Sequence, residues 1–186
     1  MSIELVAFLG NPGPVYARNR HNVGWLLSEN TPLLASAQWQ KKHKSLFTKI
    51  GNVYFLKPET YMNMSGIAVQ SAAVFLKIPP ERVLIVHDEL DLDLGQASFK
   101  FAGGLNGHNG LRSIKACLGS ADFWRLRIGI GRPEKGEVID WVLSDFTSDE
   151  SPLLESVLSA SALAIASALA DGPESLLPEW AKKRIY

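Results

Sequence analysis

The sequence contains one cysteine in 186 residues and no excess of charge of either sign. One cysteine excludes an intramolecular disulfide and a two-cysteine metal site, and it is typical of a reducing cytosol. The 19 basic and 19 acidic side chains cancel, which argues against a strongly basic coat protein for nucleic acid. The first ten residues include Glu4 and no basic leader, so we expect no secretory signal and a cytoplasmic protein.

Long apolar runs and several catalytic motifs are also missing. The longest stretch of small apolar residues, 157–170, is shorter than the roughly 18 residues of a membrane span, so it predicts a helix of a soluble protein with no membrane partner. The chain has no G-x-S-x-G, G-x-x-x-x-G-K-[ST] or H-E-x-x-H sequence. A serine nucleophile on an elbow, a P-loop and a helical zinc site therefore have no support.

The neutral total hides two regions of opposite charge. Residues 1–135 carry 16 basic and 10 acidic side chains, whereas residues 136–181 carry 9 acidic side chains and no basic one. The basic region could offer its charges to a polyanion, or both regions could simply present solvated faces. The basic residues that we consider for phosphate contacts are Lys100, Arg112, Lys115, Arg125, Arg127 and Arg132.

Hydrophobic patterning predicts strands that alternate with helices. Strands are expected at 3–9, 46–50, 53–56, 83–86, 95–101 and 126–130, and helices at 23–28, 64–76, 111–118 and from 152 onwards. Gly51-Asn52 predicts a hairpin between the second and third strands. This alternation is typical of an α/β layer architecture around a mostly buried sheet. We expect one domain over residues 1–186, with a helical C-terminal segment at 150–186.

Four polar clusters lie where predicted strands end and loops begin, which is where open α/β sheets bind ligands. They span residues 10–24, 57–66, 87–91 and 103–110. Taken singly, each could be explained by helix caps, turns or ordinary hydrogen bonds. Together they supply a histidine base, a carboxylate to orient it and asparagine donors for an oxyanion. These are the groups that a water-using acyl hydrolase needs.

Three other functions fit parts of the same pattern. The basic region could serve an RNA-binding module without catalysis, although polar loops rather than sheet aromatics argue against this. The glycines of 103–110 could cradle a nucleotide phosphate, but this loop has no lysine. A metal-dependent peptidase or esterase could hold a divalent cation with side chains from the set His21, His87, Asp88, Glu89, Asp91, Asp93 and His108.

Five stretches of the sequence carry longer motifs. They are FLGNPGPVYARNRHNVGW at 8–25, KPETYMNMSG at 57–66, HDELDLDLG at 87–95, GHNGLRSI at 107–114 and FWRLRIGIGRP at 123–133. In this order they resemble the bacterial-type peptidyl-tRNA hydrolase family, whose members hydrolyse the ester between a peptide and the terminal ribose of tRNA. The resemblance implies a single α/β domain with a twisted mixed β-sheet flanked by helices on both faces. It also implies no metal, no cofactor, and a monomer without an obligate protein partner.

The same resemblance assigns roles to individual residues. His21 matches the family's catalytic base, Asp88 matches the carboxylate that orients it, and Asn11 matches an asparagine that binds and polarises the substrate. Lys100 and Arg127 match basic residues that meet tRNA phosphates. The residues that match the cleft for the peptide and the tRNA 3′ end are Tyr16, Met62, Asn63, His108 and Asn109.

The chain departs from the family pattern at a few positions, of which Asn106 is the most informative. Asn106 stands where a glycine is usual, and asparagine is the next-best residue there if that position has a left-handed backbone. Asn19 and Trp25 replace a usual threonine and phenylalanine, and neither removes a catalytic group. The helix expected from Pro152 to Ala170 could be a lid over the cleft or a packed surface helix.

Overall fold

The computed structural model describes residues 1–185, and within them eight strands form one sheet. The strands are β1 (Leu5–Phe8), β2 (Gln40–Lys42), β3 (Ser45–Ile50), β4 (Val53–Pro58), β5 (Val83–Glu89), β6 (Gln96–Phe101), β7 (Trp124–Gly129) and β8 (Lys183–Arg184). The α-helices of the same residues are α1 (Val23–Glu29), α2 (Ser65–Leu76), α3 (Asn109–Leu118), α4 (Val138–Val142), α5 (Ser151–Asp171) and α6 (Leu177–Trp180).

The sheet is mixed, as expected, with the strand order β2-β3-β4-β1-β5-β7-β6-β8. The four central strands β4, β1, β5 and β7 run parallel. The strands that flank them pair antiparallel. Parallel strands end at the same edge of a sheet, so the polar segments that follow β1, β4 and β5 meet at this edge.

Two apolar cores lie on opposite faces of the sheet, because successive side chains of a strand point to opposite sides. In β1, Val6 and Phe8 join the core that contains α1 and α5, whereas Leu5 and Ala7 join the core that contains α2 and α3. This double burial explains why β1 is a continuous apolar run. Helices therefore cover both faces, which confirms the α/β architecture.

Helix α5 is the helix of the described residues that is long and apolar enough to cross a membrane, by length and composition alone. One of its faces, with Val157, Leu158 and Ile165, is buried in the core beside the sheet. Burial of this kind is what a core helix of a globular domain shows. The interpretation of this segment as a lid is wrong, because α5 packs on the sheet and contributes no residue to the cleft described below.

Several local features differ from the sequence-based expectation. Strand β5 continues through His87, Asp88 and Glu89, which were expected to follow the strand, because these residues pair with β7. The short elements β2, α4 and β8 were not predicted, since two to five residues are too few to show a periodicity. Asn106 has a φ of 50°, a left-handed backbone that asparagine tolerates best after glycine.

Candidate active site

His21 and Asp88 form a buried hydrogen-bonded pair at the carboxyl edge of the parallel strands. His21 lies in a 3-10 turn, Arg20–Asn22, just before α1, and Asp88 lies near the end of β5. Nδ1 of His21 is 2.9 Å from Oδ1 and 3.0 Å from Oδ2 of Asp88. Because Nδ1 donates to the carboxylate, Nε2 is the ring atom left to accept a proton. His21 also lines a cleft, so this nitrogen is available to a ligand.

His21 and Asp88 shift each other's pKa: that of His21 is raised and that of Asp88 is lowered, as suits a base and the carboxylate that orients it. Burial lowers the pKa of His21, but the charge of Asp88 and its hydrogen bond outweigh burial, so the pKa lies above 6.5. Burial would raise the pKa of Asp88, but the neighbouring His21 and His108 hold it well below its usual range. Asp88 is therefore ionised at neutral pH, and its charge favours the protonated form of His21.

Asn11 presents an amide with a fixed orientation to the same cleft. Its Oδ1 accepts the backbone N–H of Met62 at 2.7 Å. Its backbone N–H donates to Oδ1 of Asn22 at 2.9 Å, and Nδ2 of Asn22 donates back to the Asn11 carbonyl at 2.9 Å. The bond from Met62 fixes which end of the carboxamide accepts, so Nδ2 of Asn11 is the group left for a ligand, and the bonds with Asn22 fix the Asn11 backbone.

The cleft has a volume of about 450 Å³ and brings most of the predicted site residues together. Val138, Ile139 and Val142 of α4 give the cleft one apolar wall, and polar side chains form another part of its lining. The predicted residues that line it are Asn11, His21, Met62, Asn63, Asp88, His108 and Asn109. Tyr16 does not line it, but its ring packs edge-on against Tyr61, which does, with 6.4 Å between ring centroids.

Comparison with known proteins decides the family. The family model described as peptidyl-tRNA hydrolase matches residues 5–185. The chain belongs to the peptidyl-tRNA hydrolase family. A relative from Delftia acidovorans is 47% identical over 160 residues, which cover 82% of this chain and 77% of the relative. A relative from Carboxydothermus hydrogenoformans is 43% identical over 181 residues, with 90% and 92% of the two chains covered. Both are named peptidyl-tRNA hydrolase.

A solved structure supports the same assignment. The crystal structure of peptidyl-tRNA hydrolase from Acinetobacter baumannii matches with a TM-score of 0.88 and 34% sequence identity. The match covers 98% of this chain and 96% of that one. The chain therefore has the α/β fold of the peptidyl-tRNA hydrolase family, and its enzyme class is hydrolase.

The two residues that match the family's phosphate contacts lie beside the cleft rather than in it. Arg127 is close to Glu89, which lines the cleft, with 3.4 Å between Nη1 and Oε2. Lys100 is half-buried on the neighbouring strand β6. Burial lowers the pKa of Lys100, and the positive charges of Arg125 and Arg127 lower it further. Crowded cations of this kind gain stability when an anion binds between them.

Arg125 differs from the expectation of a solvated strand face that could contact phosphate. Its side chain is among the largest fully buried ones, with 1% of the residue exposed. The guanidinium donates to the carbonyls of Ala102 and, at 2.8 Å, Gly104. Arg125 therefore supports the glycine-rich loop that leads to α3, and it is not a free phosphate contact.

Sequence reasoning missed the apolar wall and the contacts that hold it. Arg20 is buried, and its guanidinium lies 3.8 Å from the ring centre of Trp141. Its Nη1 is 3.0 Å from both carboxylate oxygens of Glu150, and its Nε donates to Ser144 at 3.1 Å. The segment that carries α4 is thus fixed to the residue next to His21. The signal for this wall is the exposure of the apolar residue Ile139, which can be recognised in the folded structure but not in the sequence.

The donor set of the site also has the composition of a metal site. One ligand atom each of His21, Asp88 and His108 lies within 4.8 Å of the other two. In this arrangement, however, both imidazoles bond directly to the carboxylate. The second nitrogen of His108, Nδ1, accepts backbone N–H groups, so Nε2 carries a proton and cannot bind a cation. The hydrogen bonds account for this donor set without an ion.

Proposed function

We propose that the chain hydrolyses the ester bond of peptidyl-tRNA, which frees tRNA and peptide from stalled or abandoned translation, with His21 as the general base. The observation that carries this proposal is the pair of His21 and Asp88 at the wall of a cleft. It leaves Nε2 of His21 as the acceptor for a proton from water. Family membership supports the substrate class.

The reaction begins with a water molecule near Nε2 of His21. His21 removes a proton from the water as its oxygen attacks the ester carbonyl, and Asp88 stabilises the imidazolium that forms. Nδ2 of Asn11 donates to the developing oxyanion, a contact worth roughly 2.7–4 kcal/mol in other enzymes. When the tetrahedral intermediate collapses, the C–O bond to the ribose breaks and the imidazolium returns its proton to the ribose oxygen. No cofactor or metal takes part.

The cleft offers matching surfaces for the two halves of the substrate. Asn63 and Asn109 are exposed at its polar side, where their amides can bond to the peptide backbone and the 3′ end of the tRNA. Met62 also lines the cleft, and Tyr16 contacts Tyr61, which lines it. The apolar wall formed by α4 suits the side chains of a peptide of variable sequence.

The basic residues beside the cleft would hold the tRNA without reading its sequence. Lys100 and Arg127 would contact phosphates of the acceptor stem; they lie on the adjacent strands β6 and β7, and Arg127 adjoins Glu89 of the cleft. In this proposal the protein works in the cytoplasm as a monomer, without an obligate protein partner.

The deciding experiment measures release of the blocked amino acid from N-acyl-aminoacyl-tRNA by wild type and His21→Ala, each with and without a chelator. We expect turnover that resists the chelator and that His21→Ala abolishes while tRNA binding survives. Loss of wild-type turnover to the chelator would instead indicate a metal-dependent esterase. A folded wild type that binds tRNA but shows no turnover would indicate a binding module.

A further inference from the structure

His108, at the edge of the cleft, has a protein partner on each ring nitrogen. It is the N-cap residue of α3, and its Nδ1 accepts the backbone N–H groups of Gly110 at 3.1 Å and Leu111 at 3.3 Å. Its Nε2 is 2.9 Å from Oδ1 of Asp88. Only 8% of the side chain is exposed.

These partners determine which nitrogen carries the proton. A backbone N–H can only donate, so Nδ1 of His108 must present its lone pair. The ring proton is therefore on Nε2 and points at the carboxylate of Asp88. The capping role of His108 in α3 thus decides its tautomer, and the tautomer decides that His108 donates to Asp88.

We infer that His108 is a positioning residue. Fixed at the N-terminus of α3, it holds the carboxylate of Asp88 in place, and both His108 and His21 donate to that carboxylate. This inference rests on the proposed role of His21 as the base. Oδ1 of Asp88 receives both Nδ1 of His21 and Nε2 of His108, each at 2.9 Å. Two donors from different elements hold the carboxylate in one orientation, and both hydrogen bonds draw on the same negative charge.

Sharing the carboxylate has a consequence for the basicity of His21. A carboxylate that already accepts one hydrogen bond stabilises an adjacent imidazolium less than a free carboxylate does. His108 therefore counteracts part of the stabilisation that Asp88 gives to protonated His21, which keeps more of His21 in the form that can accept a proton. Removal of the donor should raise the pKa of His21.

The other charged groups near this trio are directed elsewhere. The ring of His87 is 5.0 Å from that of His108, but its Nδ1 donates to the backbone carbonyl of Asp88 at 2.7 Å. Burial holds the pKa of His87 well below its usual value. Glu89 faces Arg127, and the guanidinium of Arg20 faces Glu150. The remaining cleft residues from other elements are uncharged: Asn11, Tyr61, Met62, Asn63, Val138, Ile139, Val142 and Leu143.

The test is a titration of the His21 ring by ¹⁵N NMR in wild type and His108→Asn. Asparagine at an N-cap accepts the same N–H groups, but it is too short to reach Asp88, so it separates the cap from the contact. We expect the His108 ring of the wild type to show the Nε2–H tautomer, and the pKa of His21 to rise in the variant. The control is His43→Asn. His43 makes an exposed hydrogen bond to Ser71, so its substitution should leave the His21 titration unchanged.

Two results would overturn the inference. One is an unchanged His21 titration in His108→Asn while the first-turn amides of α3 keep their wild-type signals. The other is a shift in His108→Phe, which removes cap and contact together, without a shift in His108→Asn. Because the titration needs no substrate, a shifted His21 in a protein that fails to hydrolyse peptidyl-tRNA would refute the proposed function and leave the positioning role intact.

Discussion

Asn11 illustrates how a single side chain acquires a defined chemical role from its neighbours. The N–H of Met62 occupies Oδ1, so the donor end of the amide is left for the reaction. We expect Asn11→Ala to lower kcat by roughly 10²–10³-fold, the loss seen when one oxyanion donor is removed, with little change in KM. Steady-state kinetics on N-acyl-aminoacyl-tRNA measures this, with Asn52→Ala in the exposed β3–β4 turn as control. A raised KM at unchanged kcat would show that Asn11 only binds the substrate.

The pair of His21 and Asp88 makes a prediction about pH. Protonated His21 cannot accept a proton from water, so activity is lost as the pH falls through its pKa. Since that pKa is raised, we expect the rising limb of kcat/KM to be centred above pH 6.5 in the wild type. Asp88→Asn removes the charge that raises it, so the limb should move to lower pH, and kcat should fall by up to about 10⁴-fold. Identical limbs in the two proteins would contradict His21 as the base.

At the scale of elements, α4 is too short to be stable alone, and its place is set by contacts with the His21 turn. Glu150 binds the buried guanidinium of Arg20, with 24% of the Glu150 side chain exposed. We expect Glu150→Ala to lower the free energy of unfolding by about 1–3 kcal/mol, because it leaves the buried guanidinium of Arg20 without that hydrogen-bond partner. Hydrogen exchange of residues 141–150 should also accelerate. Glu155→Ala, at an exposed position of α5, is the matched control, and equal effects of the two would contradict this role.

Elements whose residues carry their own pattern could be predicted from the sequence, and those held by distant partners could not. The apolar run of β1 and the Gly51-Asn52 hairpin have local signals, and the structure confirms both. Helix α4 has no such signal, because its position depends on Arg20, more than a hundred residues earlier. The sequence motifs predicted that His21 and Asp88 act together. The contact of His108 with Asp88 was not predicted, because it depends on where the fold places the N-terminus of α3. The burial of Arg125 likewise follows from loop carbonyls that only the fold brings near.

For the whole molecule, the two regions of opposite charge are partly joined by ion pairs. Two acidic residues of the C-terminal region pair with cations of residues 1–135: Glu150 pairs with Arg20, and Glu174 pairs with the amino group of Met1. A third, Glu179, pairs with Lys183 four residues later in the same segment. The first two of these ion pairs connect the acidic region to the basic region, so its acidic side chains are not all simply solvated. Among the described ion pairs, Glu89 is the carboxylate that pairs with Arg127, and Lys100 takes part in none of them.

This charge arrangement predicts how tRNA binding responds to salt. Each phosphate contact releases counterions, so the logarithm of the binding constant should fall linearly with the logarithm of salt concentration. We expect Lys100→Ala and Arg127→Ala each to reduce that slope by about 0.7–0.9, measured by titration of uncharged tRNA at several salt concentrations. Lys41→Ala, on the exposed edge strand β2 at the other side of the sheet, should leave the slope unchanged. If all three variants behave alike, the attraction comes from the overall field of the basic region, and no local phosphate contact exists beside the cleft.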